Sequence, residues 1–136
     1  MERFISAQLN SYEIALAEIK NGKKISHWMW YIFPQLAGLG FSPTSKYYAL
    51  KNLQEAKEYL EHPILGKRLL EISHELLNLN NLSAEEIFGS PDDKKLKSCM
   101  TLFNMIDNSP SVFNEVLNKY FEGKPDKRTI QLLSKF

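Results

Sequence analysis

The chain has 136 residues, of which 17 are basic and 16 acidic, and its formal charge is +1 at neutral pH. This length is typical of one hydrophobic core, so we expect a single domain over residues 1–136. The balanced charge provides no long-range field that would attract nucleic acid or an anionic membrane, and we expect neither as a partner.

Cysteine content and apolar runs indicate a compartment. Cys99 is the one cysteine of the chain, so no internal disulfide can form, as is usual in a reducing environment. The first residues show no apolar signal core, and no apolar run approaches the ~20 residues that a membrane span needs. We therefore expect a cytoplasmic protein.

Helical periodicity runs through most of the chain, and two long apolar stripes stand out. The first predicts one amphipathic helix that ends at Asn21-Gly22, and the second predicts a helix between His62-Pro63 and Asn80-Asn81. The first stripe comprises Ile5, Leu9, Tyr12, Leu16 and Ile19, and the second Leu65, Leu69, Ile72, Leu76 and Leu79.

Shorter helices are predicted from their capping residues. Asn52 and Asp126 are suited to cap a helix, and Ser83 begins a capping box with Glu86. Ser90-Pro91 and Ser109-Pro110 each place a serine at the cap and a proline at the first helical position.

These elements predict the fold class. It is all-α: a compact single-domain bundle of about six or seven helices with irregular packing. No alternation is long enough for a convincing strand, although residues 46–50 fit an extended or a helical segment. The longest irregular stretch is residues 34–43, which contains Gly38 and Gly40, and loops of this size beside packed aromatics are often functional.

The aromatic residues of the 28–33 segment are the first candidates for a site. Trp28, Trp30, Tyr31 and Phe33 are too dense for one narrow helical face. Trp28 and Trp30 lie two positions apart, so on a helix they face different directions and one of them is expected to face a site. Such rings can stack on a planar ligand such as a nucleobase. The alternative, favoured for most of the four, is a core helix with one or two rings exposed.

Two polar residues flank these aromatics. His27 can act as a general acid or base, because the pKa of a free histidine lies near neutrality. Alternatively, Ser26 caps a helix and His27 merely occupies its first turn. The side-chain amide of Gln35, after Pro34, would either bind the edge of a ligand or hold the loop in place.

The adjacent carboxylates Asp92 and Asp93 are the remaining catalytic candidates. They would serve as an acid or base with a basic neighbour, and Lys97 and Thr101 follow on one helical face as candidate binding residues. The alternative is helix capping together with an Asp93–Lys97 pair at the favourable spacing. The two aspartates cannot both face one direction, so one is free to point inward while the other caps.

Several kinds of site are excluded by the spacing of their ligands. His27, His62, His74 and Cys99 form no metal-ligand pattern, so we expect no metal. The glycines of residues 38–40 lack the lysine and hydroxyl of a phosphate-binding loop, and we expect no cofactor. Cys99, beside Met100, is interpreted as a small buried apolar residue.

Several motifs carry a resemblance to a known family, and these motifs are long and idiosyncratic. The chain resembles, over nearly its whole length, the uncharacterised and mainly bacterial family called domain of unknown function 1810. The motifs include Ser26-His27-Trp28-Met29-Trp30, Ile32-Phe33-Pro34-Gln35-Leu36-Ala37-Gly38-Leu39-Gly40, Ile87-Phe88-Gly89-Ser90-Pro91-Asp92-Asp93 and Met100-Thr101-Leu102-Phe103.

The resemblance implies a compact, mostly helical fold and no established activity. Members have sometimes been labelled calpastatin. Calpain inhibitors of that name resemble disordered, repeat-bearing chains, whereas this sequence has the core pattern of a folded domain.

Two functions are consistent with these observations, and they leave open whether the chain is an enzyme. In the first, a domain binds or hydrolyses a nucleotide-derived small molecule in a pocket between residues 27–30 and the 90–93 helix start. His27, Asp92 and Asp93 would be catalytic, and the binding residues would be Trp28, Trp30, Gln35, Tyr47, Lys97 and Thr101. The alternative is a non-catalytic module whose exposed aromatics contact a protein partner.

Overall fold

The computed structural model describes residues 1–135, and ten helices form among them. The prediction of six or seven helices was too low, because short helices of one or two turns were not counted and the first apolar stripe is divided. The helices are α1 (Glu2–Gln8), α2 (Tyr12–Lys20), α3 (Met29–Ile32), α4 (Pro43–Tyr48), α5 (Leu53–Glu61), α6 (Leu65–Asn78), α7 (Ala84–Phe88), α8 (Asp92–Asn104), α9 (Val112–Phe121) and α10 (Lys127–Leu133).

The all-α class is confirmed. Residues 1–135 contain no strand, and their one β-bridge joins Leu36 to Leu50. None of the helices described is long and apolar enough to cross a membrane.

The first apolar stripe forms two helices, not the single helix predicted. α1 and α2 are separated by residues 9–11, and Leu9 is 72% exposed. Phe4 and Gln8 face the core instead, and the Gln8 amide donates to the Tyr31 carbonyl at 2.8 Å and to the Tyr59 hydroxyl at 2.9 Å. The turn occurs because a buried, fully hydrogen-bonded glutamine occupies the place that the apolar pattern gave to Leu9.

Three predicted caps are confirmed. The side chain of Asn52 accepts a hydrogen bond from the Glu55 amide, and that of Asp126 accepts one from the Thr129 amide. Ser83 and Glu86 form the reciprocal capping box at the start of α7. Each such cap stabilises its helix by about 1 kcal/mol.

The predicted Ser90 cap is wrong. α8 begins at Asp92, its N-cap position is Pro91, and no side chain caps it. Backbone carbonyls satisfy its first amides: Gly89 accepts from the Asp93 amide at 2.9 Å, and Pro91 accepts from Lys94 at 3.0 Å. The Ser90 hydroxyl is therefore not needed as an acceptor.

Helix α8 lies at the centre of the packing. It contacts α5, α7, α9 and α10, while α6 packs on α2, α5 and α9. The fully buried ring of Phe103 lies 5.7 Å from Tyr59 and 5.6 Å from Phe113, centroid to centroid. Burying a side chain of this kind stabilises the fold by about 1.5–3 kcal/mol. The buried face of α8 is therefore held firmly, and the helix is a rigid support for the side chains on its exposed face.

Residues 34–50 form an irregular segment that includes α4, and backbone hydrogen bonds join its two ends. The undecided 46–50 segment is helical up to Tyr48 and extended from Ala49. The Leu50 amide donates to the Gln35 carbonyl at 2.9 Å, and the Ala37 amide donates to the Leu50 carbonyl at 2.7 Å. These bonds hold the backbone of Gln35 in place, although it lies in an irregular segment.

Candidate functional site

Trp28 belongs to a polar cluster that we call the Glu18 clasp, formed by Glu18 of α2 and residues 25–28. The Glu18 carboxylate accepts hydrogen bonds from the Ile25 amide at 2.8 Å, the Ser26 amide at 2.9 Å and the Trp28 ring Nε1 at 2.9 Å. The Ser26 hydroxyl donates to its second oxygen at 2.6 Å. Trp28 is 1% exposed, so the indole has no face left for a ligand.

The clasp holds Glu18 ionised. Burial would raise the pKa of Glu18, but the hydrogen bonds from Ser26, Ile25 and Trp28 outweigh it and lower that pKa from 4.5 to about 2. A buried carboxylate that is so completely hydrogen-bonded fixes the chain around it.

Lys24 connects the clasp to the start of α8. Its Nζ lies 3.0 Å from Asp92 Oδ2 and 5.1 Å from the centre of the Trp28 ring, and it donates to the Ser26 carbonyl at 2.6 Å. The side chain is 8% exposed. A partly desolvated ion pair of this kind sets the distance between the aromatic segment and α8.

A cavity of about 260 Å³ lies between these same two segments, and no residue of the clasp lines it. It is formed by α3, the 35–49 loop and helix, the first two turns of α8 and the start of α10. Its walls are Trp30, Gln35, Leu36, Leu39, Gly40, Ser45, Tyr48, Ala49, Pro91, Lys94, Lys95, Ser98, Asp126 and Arg128.

Aromatic rings form part of the cavity wall. Trp30 lies in the one-turn helix α3, two positions after Trp28, and lines the cavity, whereas Trp28 is buried in the clasp. The Lys95 ammonium lies 4.9 Å from the centre of the Trp30 ring and 3.3 Å from Asp92 Oδ1. Burial raises the pKa of Tyr48, so the hydroxyl of this second ring stays protonated and can donate a hydrogen bond.

The cationic residues of the cavity wall outnumber the acidic one. Lys94, Lys95 and Arg128 line it, against Asp126 alone. Neither Lys94 nor Arg128 makes an ion pair with any residue from 1 to 135. The residues of the cavity wall therefore include two more cations than acids, and Lys94 and Arg128 are the two that have no acidic partner within residues 1–135, since Lys95 pairs with Asp92.

The carboxylate of Asp126 caps a helix through one of its oxygens, Oδ2. It accepts from the Thr129 amide at 3.0 Å and from the Thr129 hydroxyl at 2.6 Å, which starts α10. The Asp126 amide donates to the Thr101 hydroxyl at 2.9 Å, and that hydroxyl donates to the Lys97 carbonyl at 2.8 Å. Thr101, predicted as a binding residue, is buried and instead anchors the segment that carries Arg128.

Gln35 is the one predicted polar residue that lines the cavity with Trp30. Its backbone carbonyl is fixed by Leu50, but its side-chain amide has no hydrogen bond to the described part of the chain. An amide held at a cavity wall without a protein partner can both donate to a ligand and accept from it.

The three predicted catalytic residues do not line the cavity. His27 is exposed, and within residues 1–135 its side chain makes no hydrogen bond, while its carbonyl accepts from the Tyr31 hydroxyl at 3.5 Å. Asp92 is held between Lys24 and Lys95. Asp93 accepts from the Lys94 amide at 2.9 Å.

Two predicted binding residues also lie outside the cavity. Tyr47 is 60% exposed and packs edge-on against Tyr48. Lys97 points past the cavity towards Phe121, with 5.9 Å between its Nζ and the ring centre. The expected Asp93–Lys97 pair is absent from residues 1–135, because Asp93 bonds to its own helix start.

Sequence reasoning missed Arg128, Tyr48, Lys94 and Lys95 as wall residues. Lys94 and Lys95 stand out as a basic pair, which was a usable signal. Arg128 carried none, because it reaches the cavity only through the packing of α10 on α8.

Metal and thiol chemistry have no candidates in the described chain. No three histidine, cysteine or acidic side chains of residues 1–135 are grouped to hold a metal ion. Cys99 is fully buried, and burial raises the pKa of its thiol well above the ordinary value.

Comparison with known proteins gives a family. No curated protein matches the chain. The crystal structure of the conserved hypothetical protein Rv1873 from Mycobacterium tuberculosis is similar, with 44% sequence identity and a TM-score of 0.96 over 98% of this chain and 95% of that one. The profile of the family described as "Protein of unknown function (DUF1810)" matches residues 1–133. The chain therefore belongs to this DUF1810 family.

Proposed function

We propose that the chain binds a small, planar, negatively charged molecule of the nucleotide type in the cavity between α3 and α8. The observation that carries the proposal is the cavity wall itself, which contains three cations, two aromatic rings and one carboxylate, whose Oδ2 caps a helix. Cavities that bind small molecules combine an apolar wall with a few convergent polar groups in this way.

Each group of the cavity has a distinct role in this proposal. Lys94 and Arg128, which have no acidic partner in residues 1–135, would bind the phosphate. Trp30 and Tyr48 would contact the planar ring, and the Gln35 amide would bind its polar edge. The volume of about 260 Å³ suits a compact ligand, since drug-sized pockets begin at about 300 Å³.

The proposal is binding without hydrolysis. A general acid or base must lie within hydrogen-bonding reach of the proton it transfers. His27, Asp92 and Asp93 are all outside the cavity wall. The remaining carboxylate, Asp126, lines the cavity and uses its Oδ2 to start α10 through Thr129. His27, Asp92 and Asp93 are therefore not placed to activate water at a ligand in the cavity, and Asp126 is committed to its helix cap.

A thermal-shift panel of nucleotides, ADP-ribose derivatives and common metabolites tests the proposal. A ligand at a hundredfold its dissociation constant stabilises the fold by about 2.7 kcal/mol. We expect Lys94→Ala and Arg128→Ala each to reduce the shift strongly. Lys67→Ala, which removes an exposed lysine of α6 outside the cavity, is the matched control and should keep the shift.

The alternative is a protein-interaction module, and one observation favours it. Phe41 is 78% exposed and Tyr47 60%, and both belong to the loop and helix that form one side of the cavity. Large exposed aromatics are common where proteins contact each other. If no compound of the panel shifts the wild type, this alternative replaces the nucleotide proposal.

A further inference from the structure

A second cavity lies next to the first. Its volume is about 500 Å³, and Asp126 and Arg128 line both cavities. Because the two cavities share these residues, they are neighbours, and we call the two together the groove. The remaining residues of the second cavity wall are Lys97, Lys124, Pro125 and Lys127.

The second cavity adds cations and no further carboxylate. Lys97 and Lys127 make no ion pair within the part of the chain described. Lys124 lies 3.8 Å from Glu122, but both side chains are more than 70% exposed, and exposed pairs of this kind contribute little. Across both cavities the cations are Lys94, Lys95, Lys97, Lys124, Lys127 and Arg128, and the single acid is Asp126.

The concentration of positive charge is local. The whole chain is nearly neutral, with 17 basic and 16 acidic residues, yet six of the basic ones line this groove. Like charges gathered on one surface repel one another unless an anion lies between them. A bound anion would relieve that repulsion.

The groove is held on a fixed scaffold. The Thr101 hydroxyl of α8 accepts from the Asp126 amide at 2.9 Å, which fixes the 124–128 segment against the helix that carries Lys94 and Lys97. Lys94 and Lys97 are three residues apart, or about 4.5 Å along the helix axis. Residues at this spacing lie on one side of a helix, so Lys94 of the first cavity and Lys97 of the second are neighbours on α8.

We propose that this groove binds a chain of linked phosphoryl groups, so that the nucleotide proposed for the first cavity carries two or more phosphates. The inference rests on the proposed function, because the first phosphate is the one bound by Lys94 and Arg128. The following phosphates lie against Lys97, Lys124 and Lys127. Lysine ammonium groups are compact point charges that suit the several oxygens of such a chain without fixed geometry.

Calorimetric titration of adenosine monophosphate, adenosine diphosphate and inorganic tripolyphosphate at low salt tests the inference. We expect the diphosphate to bind about tenfold more tightly than the monophosphate. The double variant Lys124→Ala/Lys127→Ala should lose most of that gain and weaken tripolyphosphate binding, with the monophosphate affinity unchanged. Both lysines are exposed, so the fold should be unaffected.

The control is Lys57→Ala/Lys67→Ala, which removes two exposed lysines that line neither cavity and has the same change in net charge. Loss of diphosphate affinity in both double variants would indicate general charge attraction and overturn the groove.

The two proposals fail in different ways. If the wild type binds the monophosphate and the diphosphate equally well, and Lys124→Ala/Lys127→Ala changes neither affinity, the groove proposal is wrong and the nucleotide proposal is unaffected. Tripolyphosphate binding that this variant abolishes, without binding of either nucleotide, supports the groove and overturns the nucleotide site. No tripolyphosphate binding by the wild type overturns the groove.

Discussion

The Glu18 clasp and the cavity use neighbouring residues of one short segment, Trp28 and Trp30, and the polar groups of the two regions differ in how far they are hydrogen-bonded. In the clasp, every oxygen of a buried carboxylate meets a donor, and the pKa of Glu18 falls to about 2. In the cavity, Lys94, Arg128 and the Gln35 amide have no partner within residues 1–135. Satisfied polar groups stabilise a fold, whereas unsatisfied ones at a concave surface are available to a ligand.

The comparison divides the tryptophan pair between the two roles. Trp28 donates to Glu18 and is buried, and Trp30 lines the cavity under Lys95. A residue of the clasp should therefore affect stability and leave a ligand response intact in whatever protein still folds. A substitution in the cavity should reduce the ligand response and change the stability little.

The largest expected effect is that of Trp28→Ala. It removes a fully buried indole and one donor to Glu18, so the free energy of unfolding should fall by about 3–5 kcal/mol. Denaturation by urea, followed by circular dichroism, measures the change. Trp28→Phe keeps a ring without the donor and should cost less. A loss below about 1 kcal/mol for Trp28→Ala would contradict the burial argument.

Glu18→Gln should have the next largest effect on the free energy of unfolding. The neutral amide loses the charge that strengthens four hydrogen bonds and places an NH₂ group among donors, so we expect a loss of about 3 kcal/mol at pH 7. Glu13→Gln, on the exposed side of the same helix, is the matched control and should change stability by less than about 0.5 kcal/mol. Equal effects from the two variants would show that the clasp is no stronger than a surface carboxylate.

Acid should reduce the difference between wild type and Glu18→Gln. The pKa of Glu18 is lowered from 4.5 to about 2 by folding, so its contribution is present above pH 4.5 and is lost as the pH falls towards 2. Between pH 7 and pH 3 the stability gap should narrow by about 2 kcal/mol. Parallel urea titrations at the two pH values measure it. A constant gap would mean that the variant acts through packing alone.

Much of the fold could be predicted from local chemistry. Asn52, Ser83 and Asp126 cap helices as their types and spacing indicated, because a cap needs only residues within one turn. The break after α1 could not be predicted, since Gln8 is buried by partners that lie 23 and 51 residues away in sequence, Tyr31 and Tyr59. A local pattern contains no record of such contacts.

The candidate site shows the same limit more strongly. The spacing of Trp28 and Trp30 predicted that they face different directions, but not which of them is buried. That choice depends on Glu18, ten residues earlier, whose carboxylate accepts from the Trp28 ring. Arg128 joins the cavity only after α10 packs on α8, and the aspartates expected there are held by Lys24 and by the backbone of Lys94.

Trp30→Ala should have the smallest effect on stability and the clearest effect on ligand response. The ring is partly exposed, and its contact with the Lys95 ammonium at 4.9 Å contributes about 0.5–1 kcal/mol. We therefore expect a loss of about 1 kcal/mol or less in unfolding, well below that of Trp28→Ala, together with loss of the thermal shift given by any ligand of the panel. Trp30→Phe should restore part of the shift, because it returns a flat face to the same wall. If Trp30→Ala unfolds as readily as Trp28→Ala, or keeps the full ligand shift, the distinction between the clasp and the cavity is wrong.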